Sequence, residues 1–172
     1  MQNHKFTNSQ IIQLFKETLA AMEVKNANFF KIRAYQNAIS VFDTITSSIY
    51  DIWENKSLDT IPAVGTNIQQ HLNELFLTGQ VKEWNALKQD LPDGMFGLIG
   101  LRSVGSKKAF KLADTFNLKN RETAIDELKI FAKQQKIREL DGFGEKSELQ
   151  ILEAIEQSKT HKSQKQRTLL YK

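Results

Sequence analysis

The sequence predicts an all-α protein, two small helical subdomains that together carry three helix-hairpin-helix motifs. Three observations lead there. Apolar residues recur every three or four positions along most of the chain. No stretch alternates apolar and polar residues over the length of a strand. Three strings of the form hydrophobic-x-x-hydrophobic-Gly, each followed by a helical pattern, end on Gly65, Gly105 and Gly144. They lie about forty residues apart, a spacing that reads as an internal repeat.

Thr7 to about Val24 forms the first helix, capped by Thr7, Asn8 or Ser9, with Ile11, Ile12, Phe15 and Leu19 at helical spacing. Asn26 to Asn28 connect it to a longer helix from about Phe29 to Ile49. The inner face of that helix carries Phe30, Ala34, Ala38, Val41, Phe42 and Ile45, while Lys31, Arg33 and Tyr35 cluster near its start. Tyr50 to Lys56 is too short and mixed for a single reading. After the Ile61–Gly65 turn, a helix runs from about Thr66 to Leu77 and stops at Gly79, which can take a left-handed conformation. A short helix from Val81 to Lys88 leads to Leu91-Pro92-Asp93-Gly94, the strongest break in the chain.

Beyond the break come a short apolar helix at Met95 to Ile99 and a helix launched by the second hairpin to about Phe116, ended by Asn117. A helix capped by Asn120 or Thr123 runs to about Gln134, and a last one from Glu145 to Gln157. The organisation expected is a first subdomain over 1–90, a second over 91–157, and a basic tail over 158–172 acting as a linker.

Composition narrows the function classes. The absence of cysteine excludes disulfides and thiolate metal sites. No apolar run approaches the roughly twenty residues of a membrane span, and the N-terminal MQNHKFTNSQ lacks a signal-peptide core. The expected setting is therefore intracellular; the resemblance described below implies the cytoplasm of a bacterium, at the nucleoid. The net charge of +4 says less than it suggests. The last fifteen residues hold five cations (Lys159, Lys162, Lys165, Arg167, Lys172) and no acid; without them 24 basic residues become 19 against 20 acidic ones, a net of −1. Only local clusters of charge carry information about a partner.

The hairpins hold such clusters. A short turn that opens a helix leaves backbone N–H groups without intrahelical partners and so attracts phosphate. Glycine there admits the phosphate closely, and contacts of this kind read no base sequence. The second copy has Arg102, Lys107, Lys108 and Lys111 around Val104-Gly105 with no acid between, which makes it the principal DNA-binding element, although Ser103 stands where such turns usually carry their first glycine. The first copy has Ala63 at that place, then Gly65 and Asn67, and no cation in the turn. The third keeps Gly142 and Gly144, but Lys146 lies among Asp141, Glu145 and Glu148, a setting that suits a structural repeat.

At this point a family likeness emerges. Phe30-Lys-Ile-Arg-Ala-Tyr-Gln-Asn-Ala38, Ile61-Pro-Ala-Val-Gly-Thr-Asn-Ile68 and Phe76-Leu-Thr-Gly79 resemble the N-terminal 8-kDa domain of X-family DNA polymerases, of the DNA polymerase beta type. Leu91-Pro-Asp-Gly94, the second hairpin and Leu140-Asp-Gly-Phe-Gly-Glu-Lys-Ser-Glu148 resemble the bacterial branch of that family, and the likeness runs in order over residues 8 to 157. It implies a 5′-phosphate and downstream-DNA binding domain followed by a duplex-binding fingers (or thumb) subdomain. It also implies a monovalent cation, Na⁺ or K⁺, on backbone carbonyls: Asp59, Ile61 and Val64 in the first hairpin, and Ile99, Leu101 and Val104 in the second. Lys31 and Tyr35 match the family's 5′-phosphate ligands, whereas Asp59 and Asn67 replace further lysines. His71 stands where lyase-active members carry a Schiff-base lysine, and an imidazole cannot form that imine. A palm subdomain would follow the segment resembling Arg167-Thr-Leu-Leu-Tyr-Lys172, since no Asp-x-Asp for two-metal chemistry occurs in this sequence.

These readings converge on a non-catalytic, monomeric module that grips gapped or nicked DNA by its backbone as part of a polymerase-like repair protein, with no membrane and no small-molecule substrate. The alternatives are a 5′-deoxyribose-phosphate or abasic-site lyase using a relocated lysine, and a helical protein-interaction domain whose hairpins only connect helices.

Overall fold

The computed structural model describes residues 3–170, with side chains through residue 160. Among these residues the regular structure is helical throughout, and no strand occurs. The chain divides into two units, residues 1–90 and 91–172.

The first unit holds α1 (Asn8–Val24), α2 (Phe29–Phe42), α3 (Ile49–Glu54), a 3-10 turn (Leu58–Thr60), α4 (Thr66–Thr78) and α5 (Lys82–Lys88). Thr7 starts α1 with a capping box: its hydroxyl accepts from the Gln10 amide, and the Gln10 side chain accepts from the Thr7 amide. The core forms around Phe15, whose ring lies 5.1 Å from each of Tyr35, Phe42 and Trp84. Gly79 ends α4 at φ +80.

Two expectations fail here. The helix expected from Phe29 to Ile49 stops at Phe42, and α3 starts separately behind a Ser48 cap that accepts from the Asp51 amide. The break is held from a distance: Asn8 donates to the Ser47 carbonyl (2.8 Å) and accepts from the Ile49 amide (2.9 Å), so one amide side chain pins both backbone groups. The inner face of α2 is the expected one at Ala38, Val41 and Phe42 but differs over its first turns. Tyr35, Ala38, Ile39 and Phe42 are buried, while Phe30 and Ala34 face solvent. Packing on Phe15 and Trp84 selects the face with Tyr35 over the face with Phe30.

The second unit holds α6 (Gly94–Leu98), α7 (Ser106–Thr115), α8 (Ala124–Lys133) and α9 (Glu145–Leu170). Helix α6 presses on the backbone of the 117–121 loop. A Cβ at Gly94 would lie 2.3 Å from the Leu118 carbonyl oxygen, and one at Gly97 would lie 2.2 Å from that of Arg121. Only hydrogen at these two positions allows that approach. Asp93 then accepts from the Arg121 amide (3.0 Å) and from its Nε (2.9 Å), closing the loop onto α6. Helix α9 runs past Gln157, where the sequence suggested an end, to Leu170, so the backbone of most of the basic tail continues that helix.

Candidate nucleic-acid interface

The three repeats share one backbone frame. In the first, the Leu58 carbonyl accepts from the Ile61 amide (3.2 Å), that of Ile61 from Val64 (3.2 Å), and that of Gly65 from Gln69 (3.0 Å). In the second, the same offsets join Leu98 to Leu101 (3.0 Å), Leu101 to Val104 (3.1 Å) and Gly105 to Ala109 (2.9 Å). In the third they join Ile137 to Leu140 (3.1 Å), Leu140 to Phe143 (2.9 Å) and Gly144 to Glu148 (3.0 Å). Apolar residues at every third position anchor each frame. Leu58, Ile61 and Val64, then Leu98, Leu101 and Val104, are buried, while Ile137 is buried with Leu140 and Phe143 half-buried. The residues between them point outward.

The middle of each turn is left-handed, with φ +63 at Ala63, +72 at Ser103 and +78 at Gly142. Together with the closing bond between the first and fourth residues, this is a type II turn, which favours glycine at that place. Ala63 and Ser103 hold it against a local cost of about 1 kcal/mol or more. Lacking the first glycine therefore does not change the geometry; the buried anchors on either side impose it.

The second glycine behaves differently. Gly65 (φ −74) and Gly105 (φ −78) have ordinary backbone angles, and a Cβ built on either one, or on Gly144, meets nothing within 4 Å. Neither strain nor packing within the protein calls for glycine there. Gly65 and Gly105 cap α4 and α7 without a side-chain hydrogen bond, and both are exposed. The result is a bare, solvent-facing helix start of the kind that receives an anion.

The cations around the second turn divide. Arg102 and Lys107 are exposed. Arg102 and Ser103 border a polar cleft of about 310 Å³ whose other wall is Gln150, Glu153, Ala154 and Gln157 of α9. Lys108 lies 5.7 Å from the Phe143 ring, and Lys111 donates to the Asp141 carbonyl with its carboxylate 3.6 Å away. Both lysines, expected to face DNA, thus lean on the third turn. The acidity of that turn is smaller than the sequence suggests. Glu148 is fully buried, accepting from the Arg138 amide (3.0 Å) and Nε (2.7 Å), which leaves Asp141 and Glu145 beside Lys146 at the surface.

The pair expected to bind a 5′-phosphate, Lys31 and Tyr35, has partners within the protein. Tyr35 is buried, and its hydroxyl accepts from Trp84 Nε1 (2.7 Å) and lies 2.8 Å from His71 Nδ1. His71 Nε2 meets one oxygen of Glu83 (3.1 Å), and Lys31 Nζ meets the other (3.4 Å). A carboxylate of the protein's own therefore pairs with Lys31 and His71, while the Tyr35 hydroxyl is engaged by His71 and Trp84. Burial pushes the Tyr35 phenol well up, the Trp84 bond opposing it and the Glu83 charge adding to it. For Glu83, burial acts upward, but the hydrogen bond and charge of His71, with Lys31, outweigh it and hold the carboxyl below its usual range. Neither Glu83 nor Trp84 stood out in the sequence; an acid twelve positions after His71, across the Gly79 stop, was the available signal.

The carbonyls expected to hold a cation differ in their partners. In the first hairpin the Val64 carbonyl accepts from Gln69 Nε2 (3.0 Å). In the second, Ala109 occupies the matching position and has no hydrogen to donate. The carbonyls of Ile99, Leu101 and Val104 suit a hard, oxygen-seeking cation in type. Among the described residues no cluster of three or more His, Cys, Asp or Glu could hold a metal ion, and no helix is long and apolar enough to cross a membrane.

These features define a helix-hairpin-helix protein, and a family model for the helix-hairpin-helix domain matches residues 6–81. The chain is also 30% identical over 145 residues to the DNA polymerase/3′-5′ exonuclease PolX of Bacillus subtilis (strain 168), an alignment that covers 84% of this chain. The resemblance to X-family DNA polymerases read from the motifs thus extends over most of the chain, which itself spans about a quarter (24%) of that relative's length.

Proposed function

We propose that this chain binds DNA through its sugar-phosphate backbone, without reading base sequence, in the repair context of a polymerase-related protein. The observation that carries the reading is the glycine at the end of the first and second hairpins, Gly65 and Gly105, exposed and required by nothing inside the protein. An outside group that must come within contact of the backbone explains it, and phosphate is the group such helix starts receive. The relationship to PolX supports the same partner.

Gapped or nicked duplex remains the substrate we favour, held mainly at the second hairpin by Gly105, Arg102 and Lys107, with Gly65 and Asn67 at the first. The 5′-phosphate preference expected of Lys31 and Tyr35 is not part of this proposal, because Lys31 pairs with Glu83 and the Tyr35 hydroxyl is buried. The lyase alternative calls for a relocated lysine, and the contacts of His71 do not bear on it. The test is binding of the chain to duplex, gapped and single-stranded DNA of several sequences across a salt series. Affinity should be insensitive to sequence and fall steeply with salt. Equally weak binding to all three at low salt would overturn the reading.

A further inference from the structure

We infer that a cleft beside the first hairpin takes an unpaired nucleobase of the strand that the hairpin holds. The inference rests on the DNA reading above and adds what this part of the chain distinguishes in its DNA. The cleft, about 550 Å³, lies between the end of α3 and one side of α4. From α4 it is lined by Thr66, Gln69, Gln70 and Asn73, a spacing that puts all four along one side of a helix. His71 faces elsewhere, meeting Tyr35, Glu83 and Trp84, so the cleft is separate from the Lys31 site. Thr66 is also the first residue of α4, directly behind the bare Gly65. A strand whose phosphate rests on that helix start therefore brings a base to the mouth of the cleft.

The walls have the chemistry of a base site. Trp53 is half-buried; its ring packs 5.0 Å from Phe76, and its Nε1 donates to Asn73 Oδ1 (3.0 Å), which fixes the indole as one wall. Gln69 is fixed too, its Nε2 donating to the Val64 carbonyl (3.0 Å). These bonds use one end of each carboxamide. The Asn73 amide N–H, the Gln69 oxygen and both ends of Gln70 have no partner among the described residues. Carboxamides offer donors and acceptors side by side, as the edge of a base requires. Stacking on an indole tolerates every base, so the cleft favours unpaired bases without reading their sequence. Its two charged residues, Lys56 and Asp59, offset one another, and a single carboxylate is too few for a hard metal ion.

The test begins without DNA. Deoxyadenosine 5′-monophosphate and, separately, 2-deoxyribose 5-phosphate would be titrated into the full chain and followed by NMR. The Trp53 indole N–H and the side-chain amides of Gln70 and Asn73 should shift saturably with the nucleotide and stay unmoved with the sugar phosphate. Trp53→Leu should weaken that response roughly tenfold. Because Trp53 also packs on Phe76, Gln70→Leu at an exposed position is the second variant, with a loss of about fivefold. In gapped DNA, exchanging the unpaired nucleotides one at a time for an abasic residue should cost affinity at one place, and Gln70→Leu should shrink that cost. No response to the nucleotide, an equal response to the sugar phosphate, or gapped DNA that no abasic exchange weakens would each overturn the inference. The last of these leaves the DNA reading standing.

Discussion

The hairpin turns and the Lys31 pocket are the two places where resemblance to the polymerases puts a phosphate, and they have kept different things. A hairpin makes its site from backbone, so substitution within the turn leaves it standing: Ala63 and Ser103 adopt the same left-handed angle as Gly142. The Lys31 site is made from side chains, and there the Glu83 carboxylate pairs with Lys31 and His71. A site built from amides is lost only when something covers it, whereas a site built from charges is lost when one charge changes sign.

The sharpest way to break that contrast is to cover the amides. Gly105→Ala adds a methyl into open space at an ordinary φ, so the fold should tolerate it. Alanine is a poorer helix cap than glycine but restricts the unfolded chain more, and the two effects leave stability within about 1 kcal/mol. DNA affinity should nevertheless fall at least about tenfold, roughly 1.4 kcal/mol, because the methyl stands where phosphate approaches. Isothermal titration beside thermal unfolding would separate the two effects. Affinity unchanged in the alanine variant would mean that the exposed glycine serves no ligand.

Next in size is Tyr35→Phe. A surface phosphate ligand would lose binding and keep its stability. The buried hydroxyl should do the reverse, since its removal leaves the Trp84 indole N–H without its acceptor in the core. A stability loss of about 1–3 kcal/mol is expected, with affinity for 5′-phosphorylated gapped DNA within twofold. Denaturant titration and the binding assay together decide it.

Turn strain gives a smaller effect and tests whether the anchors really impose the geometry. Ala63→Gly and Ser103→Gly relieve a left-handed residue and should each stabilise by about 0.5–1 kcal/mol, while Gly142→Ala should destabilise by a similar amount. If all three changes were neutral in chemical denaturation, the shared frame would be looser than its hydrogen bonds indicate.

How much of this was legible depends on the range of the forces involved. The apolar anchors at every third residue and the terminal glycines are local, and reading them gave the turns their right places. The break at residues 43–48 is set by Asn8, some forty residues earlier in the sequence, and no local pattern announces it. The face of α2 was misread because it opens with Phe29 and Phe30, which put apolar weight on a side the core does not use. Tyr35 reads as a ligand because it matches one in the family, and its surroundings, which come from α1, α4 and α5, are not local in sequence. Glu148 read as surface acid for the same reason: its partner Arg138 is ten residues away and reaches it only once the turn has formed.

The smallest effect tests the pocket's closure by pH. The Glu83 carboxyl lies below its usual value of 4.5 in the folded protein because His71 and Lys31 favour the charged form over the opposing effect of burial. A group whose value is depressed on folding stabilises the protein above its unfolded value, and that contribution is lost as pH falls through the folded one. Glu83→Gln should therefore lower the unfolding temperature slightly at about pH 7, and the gap should close as pH falls below 4.5 and through the lower folded value, where the unmodified carboxylate is itself protonated. The carboxylate is 53% exposed, so solvent screening keeps the effect small. Lys31→Ala should reduce the same gap, since Lys31 is one of the two groups that create it. A gap that persisted unchanged into acid would mean that Glu83 contributes shape rather than charge, and the pocket would then be closed by packing instead of by an internal anion.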